Sequence, residues 1–246
     1  MRTFLPIRLS ADTLYSELES AITSKADALI LSPIELDLDA MKGAICEIRT
    51  ACTKLLGTEK HPHLYIQIDA RADHTSDEDI SKLVETGPDG VLVTNCTSGT
   101  DITAMDVRLG AAEAIANVPI GTIDILAVAP ESAEAIFGLE TYQGSSPRLK
   151  ALIWDADKIA AAIGAKSPRD ETADFTPPCL TARSLCLFGA AAAGVASIDT
   201  GFPASGSPAA LKREAMTARR DGFTGKIATN EQQVAVLNSV FGLDQA

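Results

Sequence analysis

Short apolar runs alternate with longer amphipathic ones along the whole chain. Runs rich in β-branched and aliphatic residues fall at about 3–8, 28–34, 64–69, 90–94, 119–125, 149–154, 194–199 and 224–229. Their length and bounds predict strands. Between them the apolar positions recur with helical spacing, at about 11–25, 38–57, 77–86, 100–117, 130–140, 157–165, 180–193 and 208–221, with a last helix over 231–241. Ser10, Ser76 and Ser207 each stand just before a helical run, the last with Pro208 at the first helical position. These are start signals: a serine hydroxyl satisfies a free backbone N–H, and proline has none to satisfy.

Eight strands, each followed by a helix, predict one (β/α)8 TIM barrel spanning residues 1–246. The competing fold, a doubly wound open sheet, often carries a glycine-rich phosphate loop after its first strand. The segment IRLSADT has no glycine there. The polar stretch 165–178, AKSPRDETADFTPP, is the one long loop, and either a lid or an inert surface loop fits it.

Chemistry in such a barrel gathers at the strand C-termini. The polar residues expected there are Glu35, Gln67, Asp69, Thr94, Asn95, Asp124, Asp155, Asp157, Asp199 and Asn230. Asp124, Asp155 and Asp199 are all expected near this rim. Converging carboxylates make a site for a hard cation such as Mg²⁺. Acids at strand ends also serve as caps for the next helix, and for any one of them that is the plainer reading. Asp124 is the exception, because the apolar flanks of GTIDILAV would bury it unless something pairs with it. His61 and His63 fall at the start of strand three, on the stability face, while His74 follows that strand. Cys96 lies near the rim with no base evident beside it.

Composition narrows the partners. The 246 residues carry a formal charge of −12 and no basic stripe, which argues against nucleic acid and anionic membrane. Five cysteines without a C-x-x-C pair read as reduced thiols, and the absence of a long apolar N-terminal stretch fits a cytoplasmic protein.

One residue is out of place. In LIWDADKIAAAIG, Lys158 sits in the first turn of a helix, where the dipole favours carboxylates over ammonium groups.

The chain resembles the HpcH/HpaI aldolase and citrate lyase β-subunit superfamily. RTFLPIRLS…KADALILSPIE is similar to the family's opening strands, and SSPRLKALIWDADKIAAAIG to its "PRVDALIFGAEDLAADLG". The C-terminal third, ARSLCLFGAAAAGVASIDTGFP…LKREAMTARRDGFTGKIATNEQQVAVLNSVF, follows "ARSRLVLAARAAG-PAIDG" and "ARALGFDGKxAIHPxQIxxVNxxF". The resemblance implies a barrel of the phosphoenolpyruvate/pyruvate-domain type, trimeric or hexameric, that cleaves or forms a carbon–carbon bond beside a carbonyl. It implies Mg²⁺ held by a Glu and an Asp, a small carboxylate or acyl-CoA ester as ligand, and an arginine on strand three that grips a carboxylate.

Carried over residue by residue, the metal Glu aligns with Asp124, the metal Asp with Lys158 and the acid before it with Asp157. Gln67 stands for the arginine, Thr94-Asn95 for a Pro-Lys pair, and Asn230 for the histidine of "IHP". Of the "DLED" after strand two only Glu35 is kept, whereas Asp199 and the GFxGK turn survive. With the sequence ending soon after Phe241, the C-terminal lid of longer relatives is expected to be missing. Three readings follow: a divergent lyase with a metal on Asp124 and Asp155 or Asp157; a non-catalytic homologue that binds acyl-CoA or a partner subunit; and a site in which Lys158 replaces the metal as an electrophilic or Schiff-base lysine. The catalytic candidates are Asp124, Lys158, Gln67 and Asp199. Lys158 is expected to reach the Asp124 carboxylate.

Overall fold

In the computed structural model, β1 (Thr3–Arg8) pairs with β2 (Ala28–Ser32) on one side and β8 (Gly225–Ile227) on the other, which closes the sheet. The remaining staves are β3 (His63–Asp69), β4 (Gly90–Thr94), β5 (Asp124–Val128), β6 (Leu149–Ile153) and β7 (Ala196–Asp199), all parallel and in chain order. The structure describes residues 1–8, 14–32, 38–56, 61–71 and 75–242. Among these, α1 (Leu14–Thr23), α2 (Leu38–Leu56), α3 (Asp77–Thr86), α4 (Gly99–Ile115) and α5 (Ala133–Gly138) follow the first five strands. Helices α6 (Ala156–Ala162) and α7 (Pro177–Ala193) both follow β6, with α8 (Pro208–Asp221) after β7 and α9 (Glu231–Phe241) after β8. The expected eightfold barrel is therefore the fold.

Alternation along each strand divides the core into two layers. Phe4, Ile30, Tyr65, Leu92, Leu126 and Ile198 fill the barrel, while Leu5, Leu29, Ile66, Val91 and Ile125 pack outward under the helices. Tyr65 plugs the floor because β4 begins with glycine: a Cβ on Gly90 would lie 2.4 Å from the Tyr65 ring and 2.7 Å from the Asp124 carbonyl oxygen.

The start signals hold where they can be seen. Ser76 makes a reciprocal capping box with Asp79, and Ser207 accepts from the Ala210 N–H. Ser10 lies outside the described residues, as do Glu35 and His74.

Strand five differs from the expected 119–125. Residues 119–122 form a turn, with the Thr122 N–H donating to the Pro119 carbonyl and Gly121 at φ 94°. The buried carboxylate of Glu113 accepts from the N–H groups of Gly121 and Ile123, and Arg148 grips it at 2.6 and 2.7 Å. This anchor holds the segment out of the sheet, and the strand begins at Asp124.

The loop after α6 is fastened down. Arg169 lies 3.9 Å above the Phe175 ring, 5.6 Å from that of Phe202, and donates to both carboxylate oxygens of Glu214 on α8.

A candidate site at the barrel mouth

Parity decides which polar side chains reach the mouth. On β3, Tyr65 faces the barrel interior, so Gln67 and Asp69 do too. The Gln67 amide oxygen accepts from Ser32 Oγ at 2.9 Å. Asp69, at the strand end, receives Arg71 through two guanidinium nitrogens at 3.0 and 2.7 Å and the Asn95 Nδ2 amide at 2.7 Å. The hydrogen bonds from Arg71 hold the Asp69 carboxyl down to about 2.

Asn95 takes a left-handed conformation, φ 58°, just past β4. That turn aims its backbone N–H at Oε1 of Glu131. Glu131 follows the β5 run Asp124–Val128, after the cis Ala129–Pro130 bond, and its side chain is 2% exposed. Its other oxygen, Oε2, accepts from Lys158 Nζ. Burial raises the Glu131 carboxyl above its ordinary value; Lys158 opposes that shift, and the charges of Asp155 and Asp69 add to it. A continuous polar arc, Arg71–Asp69–Asn95–Glu131–Lys158, thus crosses the rim from β3 to α6.

Lys158 is thereby explained. Its backbone N–H donates to Asp155, which caps α6, while its ammonium leaves the helix end for a buried carboxylate on the neighbouring stave. The expected partner was Asp124, and that is corrected. Asp124 opens β5, in register with Gly90 at the start of β4, and lies 3.5 Å from Lys150. Four residues of strand, about 13 Å, separate it from the end of β5. It cannot share an ion with Asp155 or Asp157. Asp155 is a cap, and Asp157 is exposed in the first turn of α6.

Asp199 ends β7 but faces the other way. Ile198 fills the barrel, so Asp199 points out between sheet and helices, fully buried. It accepts from Lys226 Nζ at 2.7 Å, Trp154 Nε1 at 2.7 Å and Arg183 Nε at 3.3 Å. It lies beneath the rim, shut off from the mouth. His61 and His63 lie at the opposite end, at the start of β3. Cys96 is buried, and burial raises its thiol well above the ordinary range.

Glu131 and Arg71 are the rim residues that strand reading missed. The signal for Glu131 was present: an unbroken apolar run, ILAVA, ended by Pro130 and an acid.

The model of the HpcH/HpaI aldolase/citrate lyase family matches residues 11–231. The chain belongs to that family. It is 26% identical over 167 residues to the citrate lyase subunit beta of Leuconostoc mesenteroides subsp. cremoris, a match covering 66% of this chain and 52% of that protein; the chain thus spans about half the length of this curated relative. Among solved structures, RipC from Yersinia pestis superposes with a TM-score of 0.66 at 21% identity, covering 98% of this chain and 94% of that one. The citrate lyase beta subunit of M. tuberculosis complexed with oxaloacetate and magnesium gives 0.68 at 21%, covering 97% and 96%. CitE from Mycobacterium tuberculosis with magnesium, acetoacetate and coenzyme A gives 0.69 at 20%, covering 98% and 80%. At these identities the likeness establishes the fold.

Magnesium accompanies the two Mycobacterium tuberculosis structures, and the described residues of this mouth do not fit it. Both oxygens of Glu131 carry N–H donors, one of them an ammonium. Asp69 is held by Arg71 and Asn95, and Asp155 by the helix it caps. Among the described residues, no three His, Cys, Asp or Glu side chains converge to hold a metal.

Proposed function

We propose that this chain uses its barrel mouth to bind a small carboxylate, as the free oxo acid or as an acyl-CoA ester, on the carbon–carbon lyase scaffold of its family. One observation carries the reading. Lys158, with 45% of its side chain exposed, holds a cation at the lip of the barrel above a buried carboxylate. An anion entering the mouth can meet that charge, with the Arg71 guanidinium at the other end of the arc. Relatives complexed with oxaloacetate, acetoacetate and coenzyme A supply the ligand class.

A second reading, a homologue that binds without turnover, is favoured by Gln67. Where the resemblance places a carboxylate-gripping arginine stands a neutral amide whose oxygen accepts from Ser32. A bidentate guanidinium grip has no equivalent there.

Calorimetry with oxaloacetate, acetoacetate and acetyl-CoA tests both readings, alongside NMR of a β-hydroxyacyl-CoA ester for new cleavage products. Binding with cleavage supports the lyase, and binding without it supports the second reading. Absence of binding by all three ligands sinks both. We further propose a trimer or a multiple of it. Phe137 on α5 and Phe188 on α7 are 84% and 71% exposed and offer apolar surface. A monomer by light scattering at micromolar concentration would rule this out.

A further inference from the structure

We propose that the Lys158 ammonium is the resident cation of this mouth, replacing a divalent metal on Glu131 and offering its remaining N–H donors to the oxygen of the ligand. The inference about the ligand rests on the function proposed above; the inference about the metal does not.

The geometry begins with Glu131. A carboxylate that is 2% exposed needs a counter-charge or a proton. Asn95, held in the left-handed conformation, gives Oε1 a neutral backbone donor. The charge comes from Lys158 on Oε2. Nothing else in the arc can provide it, because Arg71, the other cation there, already grips Asp69.

Charge counting agrees. The resemblance aligns Lys158 with a metal-binding aspartate. An aspartate with a divalent ion presents one net positive charge to the glutamate, and so does one ammonium. The exchange therefore keeps the field at Glu131 while removing both the ion and its ligand. It also bars the ion: an ammonium hydrogen-bonded to Glu131 repels a divalent cation at close range.

The ammonium also has donors to spare. A lysine has three N–H bonds, and one points at Glu131. Nearly half of the side chain is exposed at the lip, which leaves the others available to a ligand. A carboxylate or carbonyl oxygen there would accept from a fixed positive charge, the electrostatic service a metal ion gives in such sites.

The test measures Mn²⁺ binding by electron paramagnetic resonance and calorimetry, on the full chain without any carboxylate present. Wild type should show no saturable binding at millimolar Mn²⁺. Lys158→Asp should bind on the order of 100-fold tighter, the scale on which metal sites respond to a single supporting group. Saturable binding by wild type overturns the proposal, and so does a folded Lys158→Asp protein that stays silent. Should that variant fail to fold, acetylation of wild type followed by mass spectrometry decides. Lys158 should react more slowly than the exposed Lys212 and lose that protection in Glu131→Gln. Equal reactivity of the two lysines overturns the proposal. Loss of ligand binding with the metal results intact would count against the proposed function alone.

Discussion

Two lysine–carboxylate pairs stand on opposite sides of the same barrel wall. Lys226 and Asp199 face the helices, both fully buried, and share their pocket with Arg183, Trp154 and Glu214. Lys158 and Glu131 face the mouth, where the acid is buried and the lysine is half exposed. The first pair is enclosed, and every charge has several partners. The second leaves one end open to a ligand. Burial raises the carboxyl in both, but only at Asp199 do Lys226 and Arg183 outweigh it and bring the net shift below the ordinary value. An acid stabilised on balance reads as architecture; one held at a cost reads as a site.

The largest expected effect comes from opening the enclosed pair. Lys226→Met leaves Asp199 buried with Arg183 as its remaining cation, and losing one partner of a buried ion pair costs about 3–5 kcal/mol. Thermal unfolding should fall by roughly 10 °C. A shift of a degree or two would mean that the network carries little stability.

Next comes the clasp over that network. Arg169→Ala removes the Glu214 ion pair and the stacking on Phe175. The expected cost is about 1–2 kcal/mol, with faster protease cleavage within 165–176. Unchanged cleavage would show that the remaining contacts suffice to hold the loop.

The sequence made the barrel readable because the relevant information is local. Strands β1 and β4 fall where the apolar runs stand, and Ser76 and Ser207 mark their helices. The site was harder to read because its information is not local. PIGT reads like the start of a strand, and what turns it aside is Glu113, held by Arg148 from elsewhere in the chain. That displacement moved Asp124 to the floor and hid Glu131. Asp199 is a matter of parity: a strand-end acid reads alike whether it faces the mouth or the helices, until Ile198 is seen inside the barrel. Lys158 was conspicuous because it contradicts a local rule, and such conflicts gather at functional positions.

The two pairs should respond to pH with opposite sign. Asp199 has its folded value lowered below the ordinary 3.8. Its contribution is therefore full above that value and is lost as pH falls through the folded one. Glu131 has its folded value raised above 4.5. Its ionised form costs stability at neutral pH, and that cost vanishes as pH falls below 4.5. Glu131→Gln should therefore match or slightly exceed wild type at pH 7, within about 1 kcal/mol, and lose any advantage near pH 4. Asp199→Asn should be strongly destabilised at pH 7 and approach wild type only in acid. Urea titrations across this range check both, and curves of the same sign would end the contrast.

The smallest effect is expected at Asp124, whose carboxylate was the leading metal candidate on sequence grounds. It begins β5 on the floor of the barrel, and its side chain is 32% exposed beside Lys150 at 3.5 Å, itself 44% exposed. Exposed pairs of this kind contribute about 0–1 kcal/mol. The mouth is a strand length away, beyond the Debye length of about 8 Å at physiological salt. Asp124→Asn should therefore leave stability within about 0.5 kcal/mol of wild type, and should leave carboxylate binding unchanged. It should likewise leave intact any Mn²⁺ binding gained by Lys158→Asp. Calorimetry on the double variant is the decisive measurement. If Asp124→Asn abolished the gained Mn²⁺ site, the metal position would belong to Asp124 and the pairing of Lys158 with Glu131 would lose its functional meaning.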